Sequence, residues 1–443
     1  MEEWYLDEAS TIRAATSYLD GTLTNWIVAP DGSLKALNTS KFGTGPQFSI
    51  FGVAGDGKHL LVFSDHETGR DAAYEYDPET RSFGRTLASD PRLDVGEPIY
   101  WSTRAVGVSV PHQVFFDPAS ARLQAEIDKA LPETGNQIIS MTRDGSAALV
   151  RGTSLDKPAV FYALTLAPKK KLAFLGSDYP ELEKYKLATV RIVTYKARDG
   201  QAIEATLTTP PGRSGPIPFV ILPHGGPTAA DPRVFDYLAQ FIASRGYGVL
   251  QPEFRGSTGF GTDFQRAGNA QWGGLMQRDV DDGTQWLIDQ HMADRSRICM
   301  VGASYGGYAA LYAAASRNDL YRCSAAWAPV SDLDALVHRL QAFDWEDPNI
   351  PNIGNGTSDL AAVSPVALAG KMSIPILIGH GEDDFTVPAD QSHAMEAALR
   401  KAGGRVEAVY YKGENHFMTL ESTRRDFFKR LQDFLARNIG QAS

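Results

Sequence analysis

The sequence predicts a doubly wound, mostly parallel α/β domain preceded by an all-β, propeller-like domain. Three observations carry this. With 443 residues, the chain is too long for one compact core, so two domains are expected. Up to about residue 185, short strand-like runs recur between turns. From about residue 187 onward, short apolar runs alternate with stretches of helical spacing. The change falls in Gly176 to Lys186, where turn residues and alternating charges mark a junction. The expected domains are therefore 1–185 and 186–443.

Composition narrows the function. A net charge of −10 with no lysine/arginine block argues against nucleic acid as a partner, and Lys169-Lys170-Lys171 reads as a solvated turn. No stretch approaches the length of apolar sequence that spans a bilayer, so no membrane partner is expected. Met1-Glu2-Glu3-Trp4 has neither the basic start nor the apolar core of a signal peptide. As the chain stands the expected compartment is the cytoplasm; for a longer natural form it stays open. Cys299 and Cys323 are too few for a disulfide framework and lack metal-ligand spacing, and Cys299 reads as a buried, inert thiol.

In the first domain, turns at Ala29-Pro30, Asp77-Pro78, Asp117-Pro118 and Ala167-Pro168 are spaced by 48, 40 and 50 residues. Between them run Leu60 to Phe63, Ala73 to Tyr76, Gln113 to Phe116 and Ala147 to Val150. Asp-Gly pairs at 31, 56 and 144 mark hairpins. This period, with several strands per unit, is that of a β-propeller, and an irregular β-sandwich is the alternative.

In the second domain, a hairpin is expected from Val190 to Tyr195 and Ile203 to Thr208, around Asp199-Gly200. Strands follow at Pro218 to Leu222, Tyr247 to Leu250, Ile298 to Val301, Cys323 to Ala328, Pro375 to Gly379 and Ala408 to Tyr411. Helices are expected at Val234 to Ala243, at Asp279 to His291, and after Ser304 and the last two strands. In such sheets chemistry sits in the loops at the carboxyl ends of the strands.

Three groups meet that rule. Ser304 lies in Gly302-Ala303-Ser304-Tyr305-Gly306, between a strand and an alanine-rich helix. A serine there is exposed above the sheet, and the flanking glycines leave room for backbone passing close by. Asp384 lies in His380-Gly381-Glu382-Asp383-Asp384 and His416 in Glu414-Asn415-His416-Phe417, each just past a strand. The order Ser, Asp, His is that of an α/β-hydrolase triad: a nucleophile, its base, and the carboxylate that orients the base. Asp383 and Glu382 are alternatives for the acid; His393 and His338 fit the order and position less well than His416. For the oxyanion, the amide of Tyr305 is one donor, and the other is expected from the loop Pro223-His224-Gly225-Gly226-Pro227.

With these residues in hand, the chain resembles the prolyl oligopeptidase family of serine peptidases, nearest its acylaminoacyl-peptidase-like branch. The resemblance rests on His224-Gly225-Gly226-Pro227, Phe254-Arg255-Gly256-Ser257-Thr258-Gly259-Phe260-Gly261, Trp272-Gly273-Gly274 and Gly302 to Tyr308. His380-Gly381 with Asp384 and Val387-Pro388, then Asn415-His416-Phe417, complete it. It implies an N-terminal propeller that filters substrates by size, and cleavage of short peptides or acyl-peptides through an acyl-enzyme, without metal or cofactor. Many members place a tyrosine hydroxyl in the oxyanion hole. His224 matches that position here, so either its imidazole N–H or a backbone amide would serve.

The family's propeller usually has about seven or eight blades, whereas roughly four repeats fit before the junction. The propeller is therefore expected to be incomplete. It would filter size poorly and leave strand edges that favour homo-oligomers. No acidic pair stands out as an anchor for a substrate amino terminus, and Glu2-Glu3 reads as a solvated tail. Phe260, Trp327 and Tyr305 are candidate apolar contacts or core. The leading expectation is a serine peptidase acting on short or N-blocked peptides. The alternatives are an esterase or isopeptidase on the same triad, and a non-catalytic interaction protein.

Overall fold

The computed structural model describes residues 3–19, 21–41, 48–110, 112–166, 169–213, 215–343, 350–354, 356 and 359–440. The expected turn at Ala167-Pro168 lies outside them, as does Glu2; Glu3 is exposed at the start of the first strand. Backbone proximity divides the chain into two units, Met1–Tyr185 with Arg233–Phe235 and Thr258–Arg266, and the remainder from Lys186 onward.

The first unit contains four antiparallel sheets, each a meander of consecutive strands. The first comprises β1 (Glu3–Leu6), β2 (Ile12–Leu19), β3 (Thr22–Val28) and β4 (Leu34–Lys41). The second is β5 (Phe48–Val53), β6 (Leu60–Ser64), β7 (Ala72–Asp77) and β8 (Ser82–Ala88). The third is β9 (Gly96–Trp101), β10 (Arg104–Val110) and β11 (His112–Phe115); the fourth is β12 (Gly135–Met141), β13 (Ala147–Thr153), β14 (Val160–Thr165) and β15 (Lys171–Ser177). The Asp-Gly pairs at 31, 56 and 144 sit in the β3–β4, β5–β6 and β12–β13 turns, with each glycine at positive φ. Lys169 to Lys171 are exposed, and Lys170 pairs with Glu126.

Strand alternation welds neighbouring sheets together. Leu60 and Val62 of β6 join a core with Ala14 and Leu37 of the first sheet, while Leu61 between them joins one with Ala105 and Val108 of the third. Val106 points the other way, into a core with Ile138 and Val150 of the fourth. The second and third sheets thus each share one core with the sheet before and another with the sheet after.

Between the third and fourth sheets lies a helix that the sequence reading did not place, α1 (Pro118–Ala130), which follows β11. Asp117-Pro118 is a helix start rather than a plain turn, since Asp117 Oδ2 accepts from the Ser120 amide at 2.8 Å and Pro118 occupies the first turn. Asp77-Pro78 looks the same but is followed by a hairpin, with Asp77 Oδ1 accepting from the Glu79 amide at 2.8 Å.

The second unit is built on one eight-stranded sheet. Its strands are β16 (Thr189–Lys196), β17 (Ala202–Thr209), β18 (Ile217–Ile221), β19 (Gly248–Pro252), β20 (Ala293–Ala303), β21 (Cys323–Trp327), β22 (Ile376–Gly381) and β23 (Val406–Tyr411). The spatial order is β16-β17-β19-β18-β20-β21-β22-β23. The β16–β17 and β17–β19 pairs are antiparallel, and the rest are parallel.

The helices are α2 (Tyr237–Ser244), α3 (Thr262–Arg266), α4 (Leu275–Asp289), α5 (Tyr305–Ser316), α6 (Leu333–Phe343), α7 (Asp390–Lys401) and α8 (Glu421–Ile439); α3 belongs to the first unit's contacts. Helix α2 begins three residues later than its apolar spacing predicts, because Asp236 caps it by accepting from the Leu238 and Ala239 amides. Ala239 and Ile242 of α2 and Phe427, Leu431, Phe434 and Leu435 of α8 cover one sheet face, meeting Cys299, Val301 and Leu377. The expected free thiol at Cys299 is corrected: Cys299 and Cys323 are register partners on adjacent strands and are joined as a disulfide.

The shared cores make a contrast testable by urea denaturation. Leu60→Ala should cost about 2–5 kcal/mol. Leu19→Ala, at a side chain 70% exposed, should change stability by less than about 0.5 kcal/mol.

Candidate active site

Ser304 stands where β20 ends and α5 begins, at φ 57° and ψ −120°. A non-glycine residue there is strained by about 1–3 kcal/mol and persists only where its surroundings dictate it. They do so by close packing. A Cβ on Gly302 would lie 2.3 Å from the Gly306 carbonyl, and one on Gly306 would lie 2.1 Å from the Pro223 oxygen. The loop after β18 is thereby held against the turn. Gly225 lies beside the serine, its hypothetical Cβ 3.5 Å from that of Ser304. The Ser304 amide donates to Trp327 O at 3.0 Å, tying the turn to β21.

Asp384 follows β22 and is buried, whereas Glu382 and Asp383 are exposed. Its Oδ2 accepts from His416 Nδ1 at 2.6 Å, and its Oδ1 accepts from the amides of Thr386 and Val387 at 2.8 and 2.9 Å. His380, fully buried, donates from Nε2 to Val387 O at 2.9 Å and lies 3.3 Å from Asp384 Oδ2. Burial alone would raise the Asp384 pKa; the hydrogen bonds from His380, His416 and Val387 outweigh it and hold the carboxyl far below its usual range. Of the alternative histidines, His393 stacks on Tyr410 from α7 and His338 lies in α6.

With Nδ1 committed to Asp384, His416 keeps Nε2 for other partners. Its loop is fixed by residues to which sequence reasoning assigned no such role. Glu414, completely buried, accepts from the amides of Asn415, Thr419 and Leu420 at 3.0, 2.8 and 3.0 Å, and from the Thr419 hydroxyl at 3.0 Å. Trp327 Nε1 donates to His416 O at 2.8 Å. Gly381 is the glycine this arrangement requires, since a Cβ there would lie 2.3 Å from Glu414 O. A carboxylate two residues before the base was the only signal in the sequence, and it does not distinguish an anchor from a surface charge.

Ser304, His416, Gly225, Gly226, Trp327 and Phe417 line one cavity of about 500 Å³. The Tyr305 side chain is core, packed on Phe254, Trp272 and Tyr308, but its amide opens α5, where first-turn N–H groups have no acceptor within the helix. The His224 ring is engaged elsewhere. Its Nδ1 donates to Gly225 O at 2.7 Å. Its Nε2 donates to Ser257 Oγ at 2.8 Å, because that hydroxyl is itself donating to Phe254 O at 2.7 Å. Acceptors at both ring nitrogens favour the protonated form of His224. Burial lowers its pKa, but the Glu253 carboxylate 3.4 Å from Nε2 more than offsets this, and the net shift is upward. Of the proposed apolar contacts, Trp327 alone lines the cavity; Phe260 packs on Phe264.

A sheet of this order, with a serine on the strand-to-helix turn and a carboxylate–histidine pair after its last two strands, is the α/β-hydrolase fold. Within that class the match is specific: residues 233–442 fit the model of the prolyl oligopeptidase family. The chain is 29% identical over 447 residues to dipeptidyl aminopeptidase BIII of Pseudoxanthomonas mexicana, covering 93% of this chain and 64% of that one. To the acylamino-acid-releasing enzyme of Rattus norvegicus it is 24% identical over 361 residues, covering 74% and 49%. It thus spans between about half and two thirds of these relatives. The crystal structure of puromycin hydrolase superposes with a TM-score of 0.75 at 21% identity, over 98% of this chain and 69% of that one. Among the described residues, no helix is long and apolar enough to cross a membrane.

The loop anchor makes a pH prediction. Burial alone would raise the Glu414 pKa; the amides of Leu420 and Asn415, with Thr423 and Thr419, hold it below the ordinary value. A depressed pKa contributes stability above the unfolded value near about 4.3, lost as pH falls through the folded one. Glu414→Gln should therefore cost about 2 kcal/mol at pH 7. In urea melts, the gap to the native protein should narrow below about pH 4.

Proposed function

We propose that this chain is a serine peptidase that hydrolyses short or N-blocked peptides through an acyl-enzyme. The observation that carries the reading is the strained Ser304, sharing one cavity with a His416 whose Nδ1 is bound to the buried Asp384. Ser304 Oγ attacks the amide carbonyl carbon while His416 Nε2 takes its proton. Asp384 keeps the imidazole in the tautomer that accepts at Nε2 and stabilises the imidazolium that forms. The carbonyl oxygen becomes an oxyanion facing the Tyr305 amide and the Gly225-Gly226 backbone, which suits the role of second donor better than the committed His224 ring. The C–N bond breaks as His416 returns the proton to the leaving amine. Water then repeats the cycle, releasing the acid and restoring Ser304.

The names of the relatives span substrates with free and with acylated amino termini. The sequence offers no obvious acidic pair to anchor a free terminus, and this favours short or blocked substrates. Esters would react at the same serine.

A panel of acyl-peptide and aminoacyl chromogenic amides, with matched esters, tests the reading. Ser304→Ala should lower kcat by at least about 10⁴-fold on every substrate cleaved, and blocked amides should outrun those with a free amine. Turnover unaffected by Ser304→Ala would overturn the assignment; cleavage of esters alone would make the chain an esterase.

A further inference from the structure

The cavity beside Ser304 has two kinds of wall. Trp327, Phe427 and Leu431 make part of it apolar, while Asp231, Asp236 and Gln251 line another part. Asp236 is occupied: Oδ1 caps α2, and Oδ2 accepts from Gln251 Nε2 at 2.9 Å. The same Gln251 nitrogen reaches Asp231 Oδ2 at 3.3 Å. That exhausts the glutamine's donors but not the wall's acceptors. Gln251 is 3% exposed, and its Oε1 has no hydrogen-bond partner. Behind it, Glu253 Oε1 accepts from the Asp231 amide at 3.0 Å, while Oε2 lacks a hydrogen-bond partner and lies 3.4 Å from His224 Nε2.

His224 Nε2 lies within ion-pair distance of Glu253. Burial, eased by the His224 charge and reinforced by Glu253, pushes Asp231 up to about 7. Buried acceptors without donors are costly and rare, and Gln251, a lining residue of the cavity, carries one. A cavity lined by apolar side chains and by these acceptors fits a group with a hydrocarbon stem and a cationic head.

We propose that this wall is a subsite for a basic side chain of the substrate. Its stem lies along Trp327 and Phe427, and its ammonium or guanidinium donates to Asp231 and to Gln251 Oε1. The substrate's being a peptide rests on the peptidase reading above; the cation site itself does not. Because Ser304 and His416 open onto the same cavity, the basic residue belongs next to the scissile bond, on the acyl or on the leaving side.

Calorimetry on the Ser304→Ala protein separates the two readings. Pentylamine and pentylguanidine should bind at least about tenfold tighter than pentanol, an advantage lost in the double variant that adds Asp231→Asn. Equal binding of pentanol, or indifference to Asp231→Asn, would overturn the site whatever the catalytic outcome. On the active protein, N-blocked peptides carrying lysine or norleucine are compared on each side of the bond. Lysine should be favoured about tenfold in kcat/KM on one side. That preference should fall towards parity in Asp231→Asn and in Gln251→Leu, each checked for a native melting transition. Norleucine equal to or better than lysine on both sides would sink the proposal. Failure to cleave any amide would count against the peptidase reading and leave calorimetry to decide the site.

Discussion

The second unit depends on one steric constraint, the contact of three backbones at the Ser304 turn. Gly302, Gly306 and the Pro223 carbonyl approach more closely than any Cβ permits. This contact sets the strain at Ser304, aims the first-turn amides of α5, and fixes where the 223–227 loop runs. The strain is held by packing from three sides, since the serine's own amide is bound to β21. The Ser304 hydroxyl is thus presented by packed elements, the condition under which small displacements do not erode geometry.

The other half of the site obeys a second close approach, Gly381 against Glu414. Asp384 and His416 lie on different loops, yet their 2.6 Å hydrogen bond needs no chance meeting, because the loops are already pinned together. Glu414 gathers the turn's amides, and Trp327 holds its carbonyl. Trp327 therefore serves three elements at once, through its carbonyl to the Ser304 amide, its indole N–H to the base loop, and its ring in the core with Phe427.

What the sequence made legible follows from how local each cause is. Hairpins at Asp-Gly pairs and strands of period two depend on neighbouring residues, and they were readable. So was the Ser304 turn, whose glycines are written into five consecutive positions. Helix α1 was missed because Asp117-Pro118 and Asp77-Pro78 present the same dipeptide to two outcomes, decided by the residues that follow. The Cys299–Cys323 bridge depends on strand register, which no linear spacing reveals. The same holds for His224: only the structure shows Ser257 donating to Phe254 and so forcing the imidazole to donate as well.

The two units also differ in the order in which their contacts can form. In the first, each sheet is a meander of successive strands, and each core joins only adjacent sheets. Such contacts close short loops and form early. In the second, β18 lies between β19 and β20, and the His416 loop follows β23, the final strand in chain order. Vectorial synthesis therefore presents the serine turn long before its base. Until β23 and α8 have docked, the Ser304 turn stands without the His416 loop. The serine turn and the histidine loop meet only in the completed sheet.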